Sequence, residues 1–242
     1  DLPRLTPDYY GTVAGVESAA TATYSYMRWG AGGERYNVLT EYGTDLFSQG
    51  EDPGTGGDAF NKYGSQLNPD IAVLYSFWEN HYKAISTANL VIQQVEASSS
   101  MTEVQKQSAI AEMSFLRAFL YFELVQQFGN IPLVLDVAFE VRTDFPRSAV
   151  ADIYNQIIND LEYATEYLPE KPAKTGKATR YAAVHLLAKV YLTRGSAVSE
   201  QREQLSPDMD NALKYAGKVN ERGRDGLLDY FAVLWDIKNQ GN

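Results

Sequence analysis

The chain has 242 residues, of which 45% are hydrophobic, enough for one large domain or two small ones, and this argues against disorder. With 31 acidic residues against 21 basic ones, the formal net charge of −10 opposes binding to nucleic acid or an anionic membrane face and suits a neutral ligand. Cysteine is absent, which removes disulfides, thiol nucleophiles and thiolate metal sites.

The first residue, Asp1, follows no methionine, basic n-region or apolar h-region, which points to a leader, and a lipid-bearing cysteine with it, outside these residues. Thr6-Pro7-Asp8 then opens a helix expected over about residues 7–29, with a capping side chain, a proline at the first position and an acid in the first turn. Residues 30–67 are rich in Gly, Asp, Asn and Ser and read as a long exposed loop, and the run from Gln49 to Asp58 reads as no regular element. Asn68-Pro69-Asp70 repeats the proline device before a helix over about 69–97. Thr102 and Gln105 form a capping box for a helix over about 103–128, which stops at Gly129. The run near Phe115–Val125 is broken by Arg117 and Glu123 and is far shorter than the roughly 20 residues of a membrane span. Arg117 lies in a helix apolar on nearly all sides, where it requires an acidic or carbonyl partner.

Ile131-Pro132-Leu133-Val134-Leu135 is apolar enough to lie extended against the helices, and further helices are expected over about 148–168, 179–195 and 207–222. Ser206-Pro207-Asp208 caps the last of them. A repeat runs beneath this order. Leu187-Ala188-x-x-Tyr191 fits the first helix of a tetratricopeptide pair, and Ala118-x-x-Tyr121 shares its small-residue-to-tyrosine spacing. Ile157, Leu161, Ala164 and Pro169, and then Ala212, Ala216 and Val219, keep second-helix spacing, with an insertion from Ser196 to Pro207 inside the last pair. The expected fold class is all-α: irregular tetratricopeptide-like helix pairs, an α-α superhelix with long loops. The same apolar faces also suit an ordinary antiparallel bundle.

Four blocks resemble one family. Residues 111–134, AEMSFLRAFLYFELVQQFGNIPLV, resemble the signature helix of the SusD/RagB-like outer-membrane nutrient-binding lipoproteins. The stretch Trp78–Asn89 is similar to the family's WxxxYxxIxxAN helix, and the stretches Arg147–Pro169 and Gly176–Leu192 are similar to its next two. Family members run to about double this length, and Tyr230–Asp236 resembles the point where they enter a second half, so residues 1–242 read as a single helical-repeat domain, more as the amino-terminal fragment of a longer protein than as a naturally short member. The resemblance implies a surface-exposed lipoprotein of the outer membrane, tied to the membrane only through a lipid anchor outside this chain. It would capture oligosaccharides or glycoconjugates for a SusC-like TonB-dependent barrel transporter. It also implies no catalytic machinery and no cofactor, with helices facing the barrel, loops supplying the sugar site, and much of that site in the missing half.

The residues themselves carry few enzymatic signals. His81 and His185 lie far apart without a second ligand at helical spacing, and neither GxSxG nor GxxxxGK[ST] occurs. Asp45, Glu51, Asp52 and Asp58 could supply a pair of acids for glycoside hydrolysis, but a glycine-rich loop is a poor frame for them, and their spacing is not that of an EF-hand. Sugar binding needs aromatic faces beside planar polar groups. Asp45, Gln49, Phe60, Asn61 and Tyr63 supply these around the glycines and are the candidate ligand-binding residues, within a capture loop over 43–67. Gln66, Trp29, Arg35 and Tyr36 lie nearby, while Trp78 is placed in the core with Tyr82 and Ile85. Phe60 and Tyr63 could instead anchor the loop to the helices beneath. The rival function is a tetratricopeptide-like adaptor that binds protein and no glycan.

Overall fold

The computed structural model describes residues 6–30, 34–50, 57–137, 144–172, 174–196 and 207–220. The Tyr230–Asp236 segment, the Ser206 cap, Glu51, Asp52 and most of the Ser196–Pro207 insertion lie outside them, as do the side chains of Trp29 and Arg35. Among the described residues the chain is helical, with eight α-helices and no strand. They are α1 (Val13–Gly30), α2 (Glu34–Thr40), α3 (Gly57–Lys62), α4 (Ala72–Ala97), α5 (Glu103–Phe128), α6 (Val150–Tyr167), α7 (Arg180–Gly195) and α8 (Asp208–Asn220).

Packing runs chiefly between neighbours: α1 on α4, α4 on α5, α5 on α6, α6 on α7 and α7 on α8. That is the pattern of a stacked helical array, and it supports the expected helix pairs. At 26 residues each, α4 and α5 are about 39 Å long. Helix α5 lies between α4 and α6 and also touches α1 and α7. Its buried positions therefore run almost without a gap from Ala109 to Val125, including Leu116, Leu120, Tyr121 and Leu124. Each such Leu contributes about 1.5–3 kcal/mol of burial.

The helix ends follow local chemistry. Both halves of the Thr102–Gln105 capping box form, and Gly129, at φ 67°, closes α5 with its N–H donated to Val125 O. Two expected starts differ. After Thr6 the chain makes a 3-10 turn over Pro7–Gly11, without a side-chain cap from Thr6, and Thr12 Oγ1 accepts from Gly15 N inside α1. Asn68 Oδ1 accepts from Asp70 N in a local turn, and this competing bond defers α4 to Ala72. Helix α6 begins at Val150 because Ser148 N donates to Ile131 O in an isolated antiparallel bridge.

The expected loop over 30–67 is corrected by α2 and α3, whose Val38 and Ala59 are buried. Gly57 and Asp58, placed by sequence in an irregular run, open α3. The Ile131–Leu135 segment does lie against the helices. Tyr82 OH donates to Pro132 O at 2.7 Å, Asn89 Nδ2 donates to Val134 O at 2.8 Å, and Tyr121 OH both donates to Val134 O and accepts from Val134 N.

Arg117 finds the partner its burial demands. Its guanidinium grips Asp160 on α6 through two bonds of 2.8 and 2.7 Å and donates a third to Asn89 on α4. A second buried fork, Arg194 to Asp208 at 2.9 and 2.6 Å, ties α7 to α8. No described helix is long and apolar enough to cross a membrane.

Candidate functional site

The platform predicted from Asp45, Gln49, Phe60, Asn61 and Tyr63 is assembled from the turn after α2 and the whole of α3. Gly43 makes the close approach. Its φ of 75° lies in the left-handed region, and a Cβ there would meet Phe60 O at 2.6 Å and the Tyr63 ring at 2.7 Å. Tyr63, itself at φ 49°, donates its hydroxyl to Gly43 O at 3.3 Å while the residue stays 65% exposed. It therefore anchors the turn and still offers a face to solvent.

Gln49 closes the other end. Its backbone N–H donates to Asn61 Oδ1 at 3.1 Å and its Nε2 donates to Asp58 Oδ1 at 2.5 Å. Its Oε1 is buried without a partner among the described residues. Lys62 pairs with Asp58 at 2.7 Å, and this bond, with that from Gln49, holds the Asp58 carboxyl below its ordinary value. Gln49 and Asn61 are thus engaged with each other. Phe60 is half-buried, Asp45 is exposed, and the outward groups of the platform are Asp45 and Tyr63. Phe47, 52% exposed, and Leu46 join them, which the sequence reading did not single out. An aromatic side chain between Asp45 and Gln49 in a glycine-rich run was the available signal.

The platform is seated on the core through α2. His81 on α4 is buried, contacts Phe77 O at 2.7 Å through Nδ1 and Glu123 of α5 at 2.8 Å through Nε2, and stacks on Phe77. Burial first, and then the Glu123 carboxylate beside it, pushes the Tyr36 phenol on α2 above its usual value. Gln127 Nε2 reaches Leu39 O. His81 is therefore a structural bridge, and His185 lies on α7 far from it in the chain. No group of His, Asp and Glu among the described residues could hold a metal ion.

Helices stacked neighbour on neighbour, with an aromatic and polar turn carried between α2 and α3, define a helical-repeat scaffold. Residues 36–192 match the family described as "Starch-binding associating with outer membrane". The chain belongs to the SusD-like family. A SusD-like protein of Bacteroides ovatus is 36% identical over 171 residues, covering 68% of this chain and 30% of that protein. One from Formosa agariphila is 30% identical over 271 residues, covering 97% and 52%. Among solved structures, a laminarin-binding SusD-like protein superposes with a TM-score of 0.78 at 26% identity, over 95% of this chain and 49% of the other. A crystal structure with xylogluco-oligosaccharide gives 0.74 at 27%, over 94% and 44%. The chain spans between 30% and 52% of the length of the curated relatives it matches.

Proposed function

We propose that this chain is the helical-repeat part of a non-enzymatic glycan-capture protein of the cell surface, lipid-anchored at the outer membrane, that hands oligosaccharides to a TonB-dependent transporter. The observation that carries the reading is family membership together with similarity to two relatives of known glycan association, one laminarin-binding and one solved with xylogluco-oligosaccharide. The platform suits the task. Tyr63 and Phe47 offer rings that can lie against the C–H face of a pyranose, and Asp45 offers a planar acceptor for paired hydroxyls. Phe60, Gln49 and Asn61 hold that surface in place from beneath, so the five residues divide into contact and support.

Capture without turnover fits the acids present. Hydrolysis needs two carboxyls facing each other across a sugar, about 5–10 Å apart and held rigidly. Asp58 is engaged with Lys62 and Gln49, and Asp45 lies open to solvent on a turn. Affinity electrophoresis through gels carrying laminarin, xyloglucan and a panel of other polysaccharides tests the reading. Retardation by at least one, weakened in Tyr63→Ala/Phe47→Ala while the helical core keeps its cooperative unfolding, is the expected result. Release of reducing ends from any retarding polysaccharide would refute the non-enzymatic part, and free migration through every gel would refute capture by these residues.

A further inference from the structure

Helices α1 and α4 lie against each other, and between them opens a cleft of about 670 Å³ that shares no residue with the Gly43–Tyr63 platform. Its wall on α1 is Tyr26, and its floor on α4 is Tyr75, Trp78, Glu79, Tyr82 and Lys83, with Ser86 and Thr87 at the far end. These α4 positions fall three and four residues apart, so they form one stripe along the helix. From Tyr75 to Ser86 that stripe runs about 16 Å at 1.5 Å per residue. The volume lies within the roughly 300–1,000 Å³ of small-ligand sites, and the length suits a row of linked rings rather than a single one.

Two rings of the floor, Trp78 and Tyr82, are fixed before any ligand arrives. Trp78 stands edge-on to Phe128 with centroids 5.1 Å apart and tilts against Tyr82 at 4.8 Å, and Tyr82 is pinned by its hydroxyl to Pro132 O at 2.7 Å. Tyr75 is 64% exposed at the mouth. Fixed aromatic faces lose little freedom when a ligand stacks on them. The charges in the cleft cancel: Lys83 Nζ is 3.0 Å from Glu79 Oε1. That hydrogen bond, with the Glu79 charge behind it, holds the ammonium above its ordinary value against the small cost of desolvation. An anionic ligand would meet Glu79 and a purely apolar one would strand the polar groups, whereas a neutral polyol can stack on the rings and hydrogen-bond both charged partners.

We infer that this cleft is a second carbohydrate-binding site, taking a neutral oligosaccharide of linked pyranose rings along α4, with Tyr75 and Trp78 as stacking faces and Glu79, Lys83 and Ser86 as hydroxyl partners. The inference rests on the glycan-capture reading and adds a site to it. Two sites on one chain would hold a long polysaccharide at two points, which raises avidity without new contacts at either.

The test measures Kd on gels carrying the polysaccharides that retard the wild-type chain, for Tyr75→Ala, Tyr75→Phe and the platform pair Phe47→Ala/Tyr63→Ala. Tyr75 is largely exposed, so Tyr75→Ala leaves Tm unchanged while weakening binding about 3- to 10-fold, the value of one lost aromatic stacking contact. Tyr75→Phe keeps the ring and retains most of the affinity. In two-dimensional NMR the Trp78 indole N–H shifts on adding the matching oligosaccharide, and still shifts in the platform pair. Wild-type retardation with no weakening in Tyr75→Ala and no Trp78 shift would overturn the cleft site and leave the capture reading standing. Free migration of the wild-type chain through every gel would overturn both.

Discussion

Arg117 and Asp160 are 7% and 4% exposed, so the cost of removing both charges from water is met by geometry alone. The fork supplies two bonds to the carboxylate, Gln156 adds a third at 2.8 Å, and Asn89 takes the remaining guanidinium edge. Burial opposes the charge on Arg117, yet the hydrogen bond and charge of Asp160 outweigh it and hold the guanidinium above its usual value. Arg117→Met would leave Asp160 buried and uncompensated, and urea unfolding should show a loss of about 3–5 kcal/mol. Arg117→Met/Asp160→Leu should recover most of it; a single variant costing under about 1 kcal/mol would mean that the pair adds nothing. The tyrosines set a second limit. Burial pushes the Tyr24, Tyr82 and Tyr121 phenols well above their usual 10.0 and that of Tyr191 up to about 12. A folded pKa above the unfolded one gives stability that is complete below pH 10 and lost as pH rises toward the folded values. Tyr121, fully buried, alone accounts for a loss of about 1.4 kcal/mol per pH unit in that window. Tm should hold up to about pH 10 and fall steeply by pH 11, with tyrosinate absorbance rising in two parts: exposed phenols first, and the buried ones only together with unfolding.

Among elements, α3 is the shortest and the most dependent on one residue outside it. Gly43 lets the preceding turn touch the carbonyl of Phe60 and the ring of Tyr63, so Gly43→Ala meets both a clash and a strained φ. A cost of about 1–3 kcal/mol is expected, local to the turn, with weaker glycan retardation in the same variant. Unchanged retardation would separate the seat of α3 from ligand binding. The long helices were legible in the sequence because their cues are local and redundant. The capping box at Thr102, the glycine stop at 129 and the apolar density from Ala109 to Val125 each point to α5. The short helices were not. Glu34–Thr40 and Gly57–Lys62 bury little more than Val38 and Ala59, too few apolar positions to show a period against the surrounding glycine and aspartate. The platform was legible in its residue types but not in its division of labour. Only the fold shows Asn61 and Gln49 bonded to each other while Tyr63 and Phe47 face outward. The Tyr75 to Ser86 stripe escaped because Trp78 and Tyr82 on a patterned helix read as core, and they are indeed half-buried.

At the scale of the molecule, stability in a stacked array is set by how many neighbours each helix has. Helix α5 touches four others, whereas α8 rests chiefly on α7. The outer faces of α7 and α8 show the difference, since Leu192, Met209 and Leu213 remain 48%, 51% and 74% exposed beside the Arg194–Asp208 fork that holds the two together. Opening α8 therefore uncovers Ala212, Tyr215 and the Tyr191 ring stacked on it and breaks one buried ion pair, all on one side, while opening α5 dismantles the core on both sides. Native-state hydrogen exchange should rank the helices accordingly, with α5 amides exchanging only through global unfolding and α8 amides through a local opening several kcal/mol lower. The platform belongs near the lower end, because Gly43 to Gln49 hangs from α2 and α3 through a few side-chain bonds. The α4 cleft belongs near the upper end, built on a helix packed between α1 and α5. A glycan that occupied both sites would slow exchange in the turn far more than in α4, since only the turn has freedom to lose. Equal protection of α8 and α5 in the free chain would mean that the array unfolds as one body, and the division into a firm cleft and a looser platform would fall with it.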